Sequence, residues 1–465
     1  MPHRNISRRF FLGQTLATIL TLPALGRAPV SEDGFHSLEA SEGKLKLLPE
    51  PAAPTNIWGY GGTVPGPLLR IKKGAEVKIR LVNKLPQPTS LHWHGVRISN
   101  PMDGVAGLTQ EPVLPGGTFD YRFTPPDSGL CWYHPHMLPF LDEQLERGLY
   151  GVMIIDEPEP PLADHDMLVV LNNWRLDDKG QIKKFDMLAD AIRADWIRPL
   201  VTVNAGAVPI EEVLPPSSRL RLRIVNAANG QVMAIAFSGV TPSVLAIDSQ
   251  PCEAFEPAKN VIPLGPGARF DVMLDLPSDP GVTASLSLLD NNELGRILLA
   301  FKTTGEKRSP LAPIASLPQN PLLPTEIKLE SSHKFNISIE ATASAGADPA
   351  TPSAQGQPLY WRLNGKIFEG LAPPPLFSVK RGTPVTLGFT NRTSIVQAIR
   401  VHGHAMRLLH DLDDGWGPYW RDTVLIPQGK TKHIAFVADN PGKWAIECLK
   451  TERQAAATAS WFEVS

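Results

Sequence analysis

The chain has 465 residues, with 45 lysines and arginines against 47 aspartates and glutamates, a net charge of −2. No long basic run occurs, so no nucleic acid or anionic lipid partner is expected. Three cysteines, Cys131, Cys252 and Cys448, are too few for a disulfide scaffold, whereas 46 prolines and 37 glycines between short apolar runs point to many strands joined by tight turns.

The N-terminus reads as a targeting segment. Ser7-Arg8-Arg9-Phe10-Phe11-Leu12 is a twin-arginine pattern, and a modest apolar run follows over 15–25. That run is too short, and too broken by Pro23, to span a bilayer. Residues 1–28 therefore read as a twin-arginine signal peptide, cut near 26–28. This predicts export of the folded protein to the periplasm, with no stable membrane insertion afterwards.

A first unit is expected over 40–158. Glu76-Val77-Lys78-Ile79-Arg80-Leu81-Val82 alternates polar and apolar residues, the pattern of a half-buried strand. Leu91-His92-Trp93-His94-Gly95 follows. Pro115-Gly116-Gly117 turns into the alternating Thr118-Phe119-Asp120-Tyr121-Arg122-Phe123, and Asp127-Ser128-Gly129 into Cys131-Trp132-Tyr133-His134-Pro135-His136. Each histidine pair is separated by one residue, so on a strand both members share a face. Four imidazoles from neighbouring strands make a nitrogen-rich pocket suited to copper, zinc, iron or nickel. The alternative is a set of histidines packed as satisfied polar core.

Residues 156–164 read as a linker. A second unit is expected over 166–305, where Arg219-Leu220-Arg221-Leu222-Arg223-Ile224-Val225-Asn226 repeats the alternating strand. Gly265-Pro266-Gly267 and the strand after it repeat the Pro-Gly-Gly turn. Helical periodicity over 185–196 marks a short excursion. A second linker covers 304–330, and a third unit 333–465. There Lys380-Arg381-Gly382-Thr383-Pro384-Val385, Pro427-Gln428-Gly429 and Asn440-Pro441-Gly442-Lys443-Trp444 match elements of the first unit. The same order of elements occurs three times, which predicts three copies of one β-sandwich.

These motifs resemble those of the three-domain, laccase-like multicopper oxidases over almost the whole chain after the signal. The resemblance rests on His92-Trp93-His94-Gly95, Met102-Asp103-Gly104, Trp132-Tyr133-His134-Pro135-His136, His402-Gly403-His404, Trp420-Arg421-Asp422-Thr423 and Asp439-Asn440-Pro441-Gly442-Lys443-Trp444. It implies an all-β fold of three consecutive cupredoxin-like Greek-key β-sandwich or barrel domains. It also implies four coppers. A type 1 copper held by Cys, two His and usually Met takes electrons from substrate. A trinuclear histidine cluster between the first and third domains reduces dioxygen.

Carried over residue by residue, the resemblance makes His92 a type 2 ligand and His94, His134 and His136 type 3 ligands. Asp103 matches an acidic residue that passes protons near the cluster, the alternative being a turn aspartate in Met-Asp-Gly. The third unit departs from the family. Where the family has His-Pro-X-His-X-His-Gly, this chain has Gln397-Ala398-Ile399-Arg400-Val401-His402-Gly403. Where the family has His-Cys-His, then His and Met, this chain has Glu447-Cys448-Leu449, then Arg453 and Thr458. Cys448 is retained, but a type 1 site needs two imidazoles beside it. Arg400 and Arg453 put permanent cations, which are never metal ligands, where type 2 and type 1 copper would sit.

His136, His402 and Glu447 still make a plausible mononuclear site for zinc, iron or copper. His94 and His134 face the neighbouring position without a third protein ligand, because Leu449 replaces it. The expected cofactor is copper in a reduced complement, one ion or none. The alternative is that Glu447 pairs with Arg400 and the histidines pack as polar core. His404 lies beyond the ligand set and reads as structural, and Cys131 and Cys252 as small buried hydrophobes. Asp411, Asp413 and Asp414 share a loop with Trp416, Tyr419 and Trp420, either a solvated loop or a surface for a protein partner. The expected function is an exported scaffold that binds a metal or a periplasmic protein partner. The alternative is a copper-dependent oxidase of phenols or metal ions with atypical ligands.

Overall fold

The computed structural model describes residues 31, 33–138, 140–183, 200–290, 293–341, 361–365, 374–410, 416–449 and 459–465. The signal segment, the 185–196 excursion, Arg453, Thr458, Asp411, Asp413 and Asp414 lie outside the described residues.

The fold is all-β, as expected, with Leu141–Glu146 the one α-helix among the described residues. Six sheets form three pairs along the chain. In the first pair, one sheet runs in the order Thr55–Tyr60, His36–Leu45, Val77–Asn83, Thr118–Phe123. The other runs Leu69–Lys72, Gly151–Asp156, Gly129–His134, His92–His94. Strands from His165 to Thr303 build a six- and a five-stranded sheet, and strands from His333 to Val464 build another six and five. In Val77–Asn83 every second residue is fully buried, so its apolar set faces the core as its alternation dictates.

The matching strand of the second unit behaves differently. All of Arg219–Asn226 after its first residue is buried, charged side chains included. Arg223 Nε donates to Asp166 Oδ1 at 2.7 Å and Arg221 Nε to Asp271 Oδ1 at 2.9 Å. Alternation here therefore marks a paired ionic layer rather than a solvent face, since buried guanidinium needs carboxylate partners.

The cores are not distributed one per unit. Leu38, Trp93 and Tyr133 belong to the same continuous apolar cluster as Ile337, Trp444 and Phe462, whereas the second unit packs its own cluster around Leu222 and Val272. First and third units are thereby held face to face. Asn100 Nδ2 donates to Lys443 O at 2.6 Å and Asn440 Nδ2 to Ile98 O at 2.8 Å across the junction. Strands carrying histidines from both ends of the sequence meet there.

Candidate metal centre

Four strands aim side chains into the junction. His92–His94 pairs antiparallel with Gly129–His134, which sets His92 opposite His134. From the third unit, Gln397–Val401 pairs with Gly442–Cys448, which sets Arg400 opposite Glu447 and Ile399 opposite Cys448. His92, His94, His136 and His402 have no exposed surface, and His134 and Glu447 almost none.

Asp103 is held at the rim of this cage by backbone geometry. Gly104 takes φ +79°, and a Cβ there would lie 1.8 Å from Leu91 O, so only glycine lets the turn pass behind the first histidine strand. Asp103 is a turn residue and also accepts hydrogen bonds from two histidines of the cage. Its carbonyl accepts His92 Nδ1–H at 2.7 Å, and its carboxylate Oδ2 accepts His402 Nδ1–H at 2.9 Å. Against the cost of burial, the charges of His402 and His92 hold this carboxyl below the ordinary range.

Glu447 does not pair with Arg400, although the two are opposite in register. Its carboxylate accepts His136 Nε2–H at 2.7 Å and His402 Nε2–H at 2.8 Å. Arg400 turns instead to Asp422, Nη1 to Oδ2 at 3.0 Å. Cross-strand neighbours thus separate, Glu447 to two imidazoles and Arg400 to a carboxylate 3.0 Å away. His402 is hydrogen-bonded at both ring nitrogens to carboxylates. Burial opposes its charge, but Asp103 and Glu447 outweigh that and raise its pKa.

His92, His94 and His134 shift the opposite way, towards the uncharged form. Burial, reinforced by the charges of His402 and Arg400, pushes His92 down to about 4. Burial also takes His94 and His134 well below the ordinary value, with Arg400 next for His94 and His92 next for His134. His134 donates Nδ1–H to Pro135 O at 2.8 Å, leaving Nε2 as a lone pair 3.4 Å from His94 Nδ1. His92 Nε2 lies 3.4 Å from Arg400 Nη2 and His94 Nε2 lies 3.7 Å from Asp422 Oδ1.

Three groups of donor atoms come within 4.8 Å of one another: His136, His402 and Glu447; His92, Asp103 and His402; and His92, His94 and His134. Cys448 joins none of these groups among the described residues. Its thiol donates to Gln397 Oε1 at 2.6 Å, both residues being buried. His404, two residues past His402, accepts no place in the cage. Its Nδ1 bonds His402 O at 3.0 Å, and its ring packs on Phe436 and Trp444.

The donor sets test which copper positions can be filled. An amide where an imidazole is needed, hydrogen-bonded to the one retained thiol, does not fit a type 1 copper. A guanidinium facing His92 Nε2 does not fit a type 2 copper. His136, His402 and Glu447 do fit one ion. Two imidazole nitrogens and a carboxylate converge, Asp103 orients His402 through its second nitrogen, and His136 Nδ1 is a buried polar atom left without a partner. A bound ion would supply Lewis acidity there, and the chain would supply its three donors.

Sequence reading gave no role to the ionic layer behind the cage. Asp422 accepts Arg269 Nη2–H at 2.6 Å as well as pairing with Arg400, and Arg269 and Arg400 are both almost fully buried. Gly267, φ +77°, lets the second unit close over the cage, because a Cβ there would meet His94 Cε1 at 2.6 Å and Leu449 Cδ1 at 2.9 Å. The available signal was Trp420-Arg421-Asp422-Thr423, quoted for the resemblance but carrying no partner until the fold brought Arg269 beside it.

Comparison with known proteins agrees with this geometry. Two family models, each described as multicopper oxidase, match residues 43–160 and 336–465. The multicopper oxidase MmcO of Mycobacterium tuberculosis is 28% identical, over 98% of this chain and 96% of that protein. Copper resistance protein A of Pseudomonas syringae pv. tomato is 36% identical over 65% of this chain and 57% of its own length. The crystal structure of a multi-copper oxidase from Pseudomonas thermotolerans superposes with a TM-score of 0.81 and 29% identity, covering 96% of this chain and all of that one, 100%. Matches over the first and third units, and a fold shared over nearly the whole length, show that the chain belongs to the multicopper oxidase family.

Proposed function

We propose that this protein is a multicopper-oxidase-family member without laccase turnover, which binds a single transition-metal ion through His136, His402 and Glu447. The observation that carries the reading is the placement of Arg400. Its guanidinium lies 3.4 Å from His92 Nε2 and 3.0 Å from Asp422, where it repels a second cation. The Cys448–Gln397 hydrogen bond supports the same reading, because electrons from a substrate would have no type 1 copper to enter by. Copper, zinc and iron all suit two imidazoles and one carboxylate. The twin-arginine pattern supports export to the periplasm, where the protein would act as a metal-binding scaffold that meets a protein partner.

A second reading is kept by one specific observation. Five histidines still converge in the buried cage, so a copper-dependent oxidase of phenols or metal ions with atypical ligands is the alternative. Metal analysis and a visible spectrum of protein purified from copper-supplemented cells separate the two. One metal ion per chain and no intense thiolate-to-copper band is the expected result. Several coppers with that band would overturn it in favour of the oxidase.

A further inference from the structure

A cavity of about 390 Å³ lies between the second and third units, lined by neither Gln397 nor Cys448. Its walls are largely apolar. Val244, Ile262 and Phe270 come from the second unit and Leu425 from the third, and Phe255 stacks on Tyr419 across the junction with ring centroids 4.8 Å apart. This volume falls in the range of roughly 300–1,000 Å³ typical of small-molecule pockets.

One wall carries Arg421. Its Nε is buried without a hydrogen-bond partner, and none of the described residues pairs with its guanidinium. The contrast with its surroundings is sharp. Arg221, Arg223, Arg269 and Arg400 are deeply buried and each has a carboxylate within 3.0 Å, whereas the half-buried Arg421, its Nε enclosed, has none among the described residues. Asp248 lines the same cavity, but its oxygens are committed to the N–H groups of Arg269, Asp422 and Thr423. Burial holds the Arg421 guanidinium below its ordinary pKa, and Asp248 offsets this only in part. A buried cation without a partner is costly unless something supplies the counter-charge.

We infer that this cavity binds a small carboxylate with a flat apolar body, the carboxylate meeting Arg421 and the body lying against the Phe255–Tyr419 stack. A planar fork of N–H donors suits a carboxylate bidentately, and the apolar walls suit an aromatic ring. The site is independent of the metal centre, which Arg421 does not touch.

The test is calorimetric titration of the full chain with 2-naphthoate and with its neutral counterpart 2-naphthylmethanol, in wild type and R421Q. Wild type is expected to prefer the carboxylate by about tenfold or more, the worth of a charge-assisted hydrogen bond. In R421Q the preference is expected to vanish. Because R421Q also removes an uncompensated buried charge, it is expected to melt at or above the wild-type temperature. A lower melting temperature in R421Q would mark Arg421 as a structural cation and overturn the inference. Absence of wild-type binding at millimolar 2-naphthoate, or a preference that survives in R421Q, would overturn it equally.

Discussion

Glu447 and His402 meet at 2.8 Å, and His402 carries a second carboxylate, Asp103, on its other ring nitrogen at 2.9 Å. A ring that donates from both nitrogens holds two protons and is a cation. The cage is therefore closed by protons at the atoms that would otherwise hold an ion. Proton and metal compete for His402 Nε2, His136 Nε2 and the Glu447 oxygens, so metal binding releases protons and strengthens as pH rises.

Substituting E447Q leaves the shape of that side chain and removes its charge. Zinc affinity is expected to fall by at least about 10–100-fold, the loss that follows removal of even a residue that only orients a ligand. Competition against a chelating dye at pH 7 and pH 8 measures it. Wild-type affinity should rise between the two pH values. Equal affinity in E447Q and wild type would remove Glu447 from the donor set.

Acid sensitivity of the metal-free protein follows from the other histidines. His92 is held at about 4, and His94 and His134 well below their ordinary value. In the unfolded chain each titrates near 6.5, so from about pH 7 downwards the unfolded state takes up protons that the folded state refuses. Three such groups weaken folding by up to about 4 kcal/mol per pH unit. His402 has the opposite sign, since its raised pKa contributes stability that is full below about 6.5 and lost on going above the folded value. Asp103 and Glu447 are lowered, so their contribution is present above about 4 and fades only below that. With His404 also held at about 4, four lowered histidines outweigh one raised. Urea midpoints should drop between pH 7.5 and pH 5, and a flat profile would contradict the neutral assignments.

The all-β class and the meeting of His92, His94, His134, His136 and His402 were legible because short-range patterns encode them. Alternation marks a strand, Pro-Gly marks its turn, and a resemblance tied each histidine to a position. The fates of Arg400 and Glu447 were not legible. They lie opposite each other on adjacent strands, so local reasoning pairs them. Which partner wins depends on Asp422, 22 residues from Arg400, and on His136, 311 residues from Glu447. The burial of Arg221 and Arg223 was hidden for the same reason. A charged residue in an alternating strand signals solvent unless a carboxylate from another unit covers it. Asp103 resisted a single reading because its turn geometry and its bond to His402 are both real.

On the proposed reading, Arg400 limits how many ions the cage holds. R400H removes the cation beside His92 and adds an imidazole, while Asp422 keeps Arg269 at 2.6 Å. Copper uptake, counted by elemental analysis after dialysis, is expected to rise by about one ion per chain over wild type, because the one imidazole gained joins the group His92, His94 and His134, and imidazole suits copper. An unchanged count would mean that repulsion by Arg400 is not what sets the stoichiometry.

Asp422 is the member of the ionic layer whose loss should cost most. Its carboxylate is the counter-charge for two buried guanidinium groups, Arg269 at 2.6 Å and Arg400 at 3.0 Å, and burial is offset by those two charges strongly enough to hold it well below the ordinary carboxylate range. D422N leaves both arginines buried, with Asp248 3.6 Å from Arg269 as the remaining neighbour. Breaking such a pair by removing one partner costs about 3–5 kcal/mol. R400M should cost clearly less, because Asp422 then still has Arg269 and the methionine chain fills the volume. Urea unfolding of D422N, R400M and the double variant measures the coupling. The double variant is expected to be more stable than D422N alone, since removing Arg400 removes one of the two orphaned charges. If it is less stable, Arg400 is held by packing and its imidazole neighbours rather than by Asp422, and the layer is not the electrostatic unit its distances describe.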